Sequence, residues 1–222
     1  MFVFLKKKRI SVNKINKLYS SHLYKGLNGF LMRYCHSQLE KTLPEGSYKK
    51  ILEIGAGSEP HYKYLKEKNC DYTTLEKNKT NKKFKGIKNK IYKGNKIPFK
   101  NNSFDRIIIS HTLEHILEPE KFIEEMISKV KRGGILSISL PTDPGILWRI
   151  GRLFNKIFSI KNKFNFTPLE YDYMNAIEHI NSVFNLINII RYKYKSNIIE
   201  QFLPFRIKLL DANLFYNVHI RK

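Results

Sequence analysis

Apolar positions along this chain change their spacing several times, and each change marks an element. Between residues 12 and 43, Leu18, Leu23, Leu27, Phe30, Leu31, Tyr34 and Leu39 recur mostly three or four apart. That is the period of one or two amphipathic helices. Pro44-Glu45-Gly46 breaks the pattern. Lys50-Ile51-Leu52-Glu53-Ile54 then reads as a short buried strand running into Gly55. Pro60 to Asn69 predicts a helix with proline in its first turn. Tyr72 to Leu75 predicts a second strand. The polar, Lys-rich residues 77–88 predict a loop or a poor helix, and Lys90 to Tyr92 a short third strand. Phe104 to Ser110, which carries Ile107-Ile108-Ile109, reads as a strand buried on both faces. Pro119 to Val130 is an amphipathic helix stopped by Gly133-Gly134. Ile135 to Leu140 is a further strand, closed by Pro141.

Repeated strand and helix predict an α/β fold, a Rossmann-like and mostly parallel sheet with helices on both faces. After Pro141 the alternation lapses. Helices are expected over 145–160 and 169–186, and strands near Asn188–Tyr194 and Leu214–Ile220. The domain reading is an N-terminal helical extension over 1–45 and one catalytic domain over 46–222. Within that domain, 46–142 form a ligand-binding core, 143–187 a helical lid and acceptor region, and 188–222 the closing strands.

Composition sets limits on this picture. The chain has 222 residues, 42% of them hydrophobic, which is globular and not disordered. Its formal charge is +22. Lys is spread along the chain with no Arg-rich block, so most of the charge reads as solvated surface and a nucleic-acid partner is not expected. Cys35 and Cys70 form no framework, which fits a reducing compartment. The apolar start Met1 to Leu5 is too short for a signal peptide, and its charges follow it. A cytoplasmic protein is the expectation.

Three stretches carry chemistry. Glu53-Ile54-Gly55-Ala56-Gly57 sits at a strand-to-helix turn, where glycines let a ligand lie against bare backbone. Glu76, at the end of the next strand, can accept hydrogen bonds from both hydroxyls of a ribose. Its spacing from Gly55 also suits a nicotinamide dinucleotide, but Pro60 stands where that fingerprint wants a third glycine. The third stretch runs Ile97-Pro98-Phe99-Lys100-Asn101-Asn102-Ser103-Phe104-Asp105, then Ser110-His111-Thr112-Leu113-Glu114-His115, then Lys131-Arg132-Gly133-Gly134.

Taken together over residues 48–142, these motifs resemble the class I S-adenosylmethionine-dependent methyltransferases, in their small-molecule branch. The resemblance implies S-adenosylmethionine as cofactor. It implies that Gly55, Ala56 and Gly57 line the amino-acid end, with Glu53 reaching the ammonium through water. Glu76 would hold the ribose, and Asn95 and Ile97 would lie by the adenine. Ser110 and His111 would flank the sulfonium. The chain departs from the family pattern in carrying Glu59 at a glycine position and Lys93-Gly94-Asn95 where an acid often stands.

Candidate catalytic groups are His111, at the strand tip, and Tyr173 and His179, in the region that in this family covers the acceptor. Tyr173 and His179 read equally as satisfied core residues. Glu114-His115 is expected to cap and pack locally. No metal site is expected, because the histidines lack ligand spacing and there is no cysteine pair. Ile146, Leu147, Ile150, Leu153, Phe154, Ile157 and Phe158 form an apolar stripe flanked by Trp148, Arg149, Arg152 and Lys156. The first expectation for 145–160 is a lid packed by this stripe, and the second is peripheral contact with a membrane. The acceptor is expected to be a small molecule or a glycan- or lipid-linked intermediate. An RNA acceptor and a non-catalytic cofactor-binding scaffold stand as alternatives, and oligomeric state is not fixed by the sequence.

Overall fold

The computed structural model describes residues 25–57, 59–77, 84–92, 96–158 and 167–222. Seven strands form one sheet: β1 Lys50–Ile54, β2 Asp71–Glu76, β3 Ile87–Ile91, β4 Phe104–Ser110, β5 Val130–Pro141, β6 Ile198–Leu203 and β7 Phe215–Arg221. Their spatial order is β3-β2-β1-β4-β5-β7-β6. β1 to β5 run parallel, and β7 lies antiparallel between β5 and β6. The order reverses between β1 and β4. In an open α/β sheet the crevice beyond the carboxyl ends of such a pair is where ligands bind.

Among the described residues five α-helices flank the sheet: α1 Gly26–Lys41, α2 Pro119–Lys129, α3 Ile146–Phe158, α4 Pro168–Glu178 and α5 Val183–Tyr194. Alternation along β4 explains their placement. Ile107 and Ile109 join the main core, with Phe122, Ile123 and Met126 of α2 and Leu186, Ile187 and Ile190 of α5. Ile108 points the other way, into a smaller cluster with Leu39 of α1. Helices therefore cover both faces, as the alternating pattern predicts.

Beneath α1 the sheet is polar. Cys35 Sγ lies 3.0 Å from Ser139 Oγ, and Asn217 donates to the Cys35 carbonyl. Arg106, fully buried in β4, donates to Glu40 Oε2 at 2.6 Å and to Ser137 Oγ at 2.9 Å. Burial pushes the Cys35 thiol up to about 12, so it is an inert packing group.

Four sequence expectations are corrected. Pro60 to Asn69 is no helix but a short turn at His61–Tyr64. The cause is non-local, since the His61 N–H is taken by the Glu53 carboxylate and the Lys66 N–H by Glu40. Residues 169–186 do not form one helix. Thr167 and Glu170 make a capping box for α4, and Ser182 caps α5. The strand expected near Asn188–Tyr194 is the second half of α5, whose Leu186, Ile187 and Ile190 face the core, and the strand comes later as β6. Gly133-Gly134 does not end a helix, because it lies inside β5. A Cβ at Gly134 would stand 2.6 Å from the Asp105 carbonyl, so the strand pair approaches too closely there for a side chain. Residues 12–24, and residues 78–83 of the expected loop at 77–88, lie outside the described residues.

Candidate active site

The glycine turn follows β1 directly. Gly55 and Gly57 both hold left-handed backbone, with φ of 72° and 58°, a region that favours glycine. A Cβ at Gly55 would meet Thr112 Oγ1 at 2.4 Å, whereas one at Gly57 would meet nothing within 4 Å. The first glycine is thus required by packing against the loop after β4. The second borders open space in the crevice. Ala56, between them, is buried.

Glu76 reaches across from the end of β2, and its Oε1 accepts from the Gly57 N–H at 2.9 Å. Burial raises its carboxyl above the ordinary range, while the Gly57 and Ala56 N–H groups pull it back. Glu53 is turned inward. Both its oxygens accept from the His61 N–H, at 3.0 and 3.1 Å, and Oε2 also accepts from Tyr72 OH at 2.7 Å. Burial drives its carboxyl up to about 7 against those hydrogen bonds. Its described partners are therefore the turn and β2. Ile97 is buried in the main core, with its N–H on Glu125 at 2.7 Å. Asn95 lies outside the described residues.

Beyond the ends of β4 and β5 a second constellation assembles. His111 has left-handed backbone, φ 49°, and its N–H donates to the Ser139 carbonyl at 2.9 Å. That turn aims the ring at Phe215, centroid to centroid 5.4 Å. Burial and the nearby His179 and His115 push the imidazole down to about 3, so it is neutral near pH 7. His179 Nδ1 lies 2.7 Å from Asp143 Oδ2, and Arg152 pairs with the same oxygen. His179 also packs edge-on to His115 at 5.0 Å and faces Trp148 at 6.5 Å. Tyr173 stands apart on the solvent side of α4, 41% exposed.

Among the described residues seven buried side-chain polar atoms lack a partner, and five cluster here: Ser110 Oγ, His111 Nε2, Glu114 Oε2, Asp143 Oδ1 and Trp148 Nε1. Buried polar groups are normally satisfied. A group of orphans at a crevice is what a bound polar molecule would resolve. Asp143, Trp148 and Arg152 were not among the expected site residues. The one signal for them is position, directly after a strand whose carboxyl end faces the crevice. Glu114, His115 and His179, expected to lack ligand geometry, are in fact brought together: one donor atom from each lies within 4.8 Å of the others.

Comparison with known proteins follows this geometry. The methyltransferase-domain family matches residues 27–186. The chain belongs to that family. Its cofactor is S-adenosylmethionine, and the seven-stranded sheet is that of the class I enzymes. The methyltransferase is 36% identical over 102 residues to an uncharacterised protein of Methanocaldococcus jannaschii, covering 46% of this chain and 48% of that protein. It is 37% identical over 82 residues to the demethylmenaquinone methyltransferase of Paenarthrobacter aurescens, covering 35% of this chain and 32% of that protein. The chain thus spans half or less of the length of these curated relatives. In structure it is similar to a Thermotoga maritima SAM-dependent methyltransferase, "possible histamine N-methyltransferase". The TM-score is 0.61 at 17% identity, covering 95% of this chain and 99% of that one.

The residues present suit the cofactor. With the cofactor bound, the open volume at Gly57 would serve as a bare-backbone cradle and the Glu76 carboxylate beside it as the acceptor for a ribose. The unpartnered Ser110 Oγ at the β4 tip adds a polar contact. Glu76→Ala is expected to weaken S-adenosylmethionine binding by about 1.5–3 kcal/mol, the range for hydrogen bonds to a charged group. Calorimetric titration checks this, and unchanged affinity would move the ribose contact to another residue.

Proposed function

We propose that this chain transfers a methyl group from S-adenosylmethionine to a small or lipid-linked acceptor held beyond β4 and β5. The observation that supports this best is the cluster of orphaned polar atoms beyond the ends of β4 and β5. S-adenosylmethionine supplies a sulfonium methyl: an acceptor lone pair forms the new bond, the C–S pair returns to sulfur, and the acceptor's proton leaves. The methyl is activated before it arrives, so the chain's task is positioning and exclusion of water. Trp148 and Phe215 wall the pocket with apolar rings, 6.1 Å apart. His111, kept neutral by burial, offers Nε2 as a hydrogen-bond partner for the acceptor and is a weak base. His179, held by Asp143, is the second imidazole at this site. His179→Ala is expected to lower transfer about 100-fold with cofactor affinity unchanged. A screen with labelled methyl groups tests it. Full transfer by a folded His179→Ala protein would remove the residue from the chemistry.

A second observation favours a membrane-borne acceptor. The apolar stripe of α3 does not pack as a lid would, because Ile146, Ile150, Leu153, Phe154 and Ile157 are each 54–60% exposed. Trp148 and Arg152 of that helix turn inward to the site. Among the described residues no helix is long and apolar enough to cross a membrane. An exposed apolar stripe on a strongly basic chain suits the surface of an anionic bilayer. The relative acting on demethylmenaquinone by its name fits the same kind of acceptor. Phosphatidylglycerol vesicles should retain the protein at low salt and release it at high salt. Leu153→Glu together with Phe154→Glu should abolish retention. A parent protein that ignores such vesicles would confine the acceptor to soluble molecules, and tight RNA binding at physiological salt would overturn the ranking altogether.

A further inference from the structure

We propose that Glu114, His115 and His179 bind one divalent transition-metal ion at the wall of the acceptor pocket. One donor atom from each lies within 4.8 Å of the other two. Donors on one zinc ion stand about 3.4 Å apart for bonds near 2.1 Å, so a side-chain rotation of roughly an ångström closes the site.

The backing of the two rings supports this. His115 Nδ1 faces the backbone carbonyl of Glu178, which can only accept, so that nitrogen carries the proton. His179 Nδ1 lies 2.7 Å from the Asp143 carboxylate and 3.3 Å from Arg152 Nη2; Arg152 gives its proton to that same carboxylate, and the nearer contact is met by a proton on Nδ1. Each ring is then left with a free lone pair on Nε2. Metal-ligating histidines are held in this way, with the other ring nitrogen donating to a carbonyl or a carboxylate.

The third donor is the strongest sign of a missing partner. Glu114 is 3% exposed, and its Oε2 has no hydrogen-bond partner. Its Oε1 lies 3.8 Å from His115 Nε2. A buried carboxylate oxygen facing no donor is costly unless a cation or a proton meets it. Arg152 is not that cation, since it is paired with Asp143. Asn181 fixes the geometry by tying the two segments together: its N–H donates to the Glu114 carbonyl and its side chain to the Ile116 carbonyl.

Two imidazoles and one carboxylate select zinc, iron(II), cobalt or nickel over magnesium and calcium, which prefer all-oxygen sites. Three protein ligands leave open positions. Resting on the methyl-transfer reading, those positions would take an oxygen of the acceptor. The ion site itself does not depend on that reading.

The test uses the tag-free, chelator-treated full chain without cofactor or acceptor. Cobalt(II) titration followed by visible absorption should saturate at one ion per chain, and zinc should displace it. His115→Gln and His179→Gln should each weaken cobalt binding about 100-fold, with circular dichroism and S-adenosylmethionine affinity as the parent. A folded parent that shows no saturable site would overturn the inference. So would equal cobalt affinity in the His115→Gln/His179→Gln double variant. One-to-one binding in a protein that transfers no methyl group would sustain the metal site and sink the methyl-transfer reading. Methyl transfer by a parent protein that binds no cobalt would do the reverse.

Discussion

Replacing Glu40 with alanine is expected to cost about 3–5 kcal/mol of folding stability, the penalty for stripping one partner from a buried ion pair. Arg106 is fully buried at the centre of the sheet. Its Nη1 donates to Glu40 Oε2 at 2.6 Å, its Nε to Ser137, and its Nη2 has no partner among the described residues. Glu40 also receives His61 Nε2 at 3.2 Å and the Lys66 N–H at 3.2 Å. The variant would leave a buried guanidinium without a counter-charge and two further donors unmet. Pairing Glu40→Ala with Arg106→Met should recover much of the loss, because the buried charge goes with its partner.

The same pair gives a pH signature. Burial pushes the Glu40 carboxyl up, but hydrogen bonds from His61 and Arg106 and the charge of Arg106 outweigh it and hold the group at about 2, below 4.5. A depressed carboxyl contributes stability that is complete above pH 4.5 and lost as pH falls towards 2. Urea unfolding of the parent should therefore show a fall across that window that Glu40→Ala lacks. Equal stability of parent and variant at pH 7 would mean that α1 is not held to the sheet by this pair.

The parts of the molecule legible in the sequence are those whose causes are local. The isoleucine run of β4 is buried on both faces and reads as a strand in any context. The turn at Gly55 to Gly57 needs positive φ, and the sequence supplies glycine there. The misreadings have distant causes. Residues 60–69 have a helix's composition, but their N–H groups are claimed by Glu53 and Glu40. The break between α4 and α5 is set by Asn181 binding carbonyls of the segment after β4. The site divides the same way. The cofactor cradle lies on one contiguous turn and its neighbouring strand end. The acceptor wall draws Asp143 and Trp148, His179, and Phe215 from three separate stretches, and no spacing rule relates them.

That contiguous turn makes the other large effect predictable. Gly57→Val should weaken S-adenosylmethionine binding by about 100-fold, ~2.8 kcal/mol, in a protein that still folds. A Cβ at Gly57 meets nothing within 4 Å, so the substitution clashes with no described part of the chain. Its local cost is the left-handed backbone at φ 58°, about 1–2 kcal/mol for a residue with a side chain. The open space is where the cofactor is expected to lie, and valine would fill it. Gly57→Ala carries the same backbone strain with less volume, so it should lose less affinity. That grading separates steric exclusion from distortion of the turn. Gly55→Ala is the contrast: its Cβ would meet Thr112 Oγ1 at 2.4 Å, so the loss there should appear in the melting temperature as well. Calorimetry and thermal unfolding on the three variants distinguish these outcomes. A folded Gly57→Val protein that binds S-adenosylmethionine as tightly as the parent would place the cofactor elsewhere than on this turn.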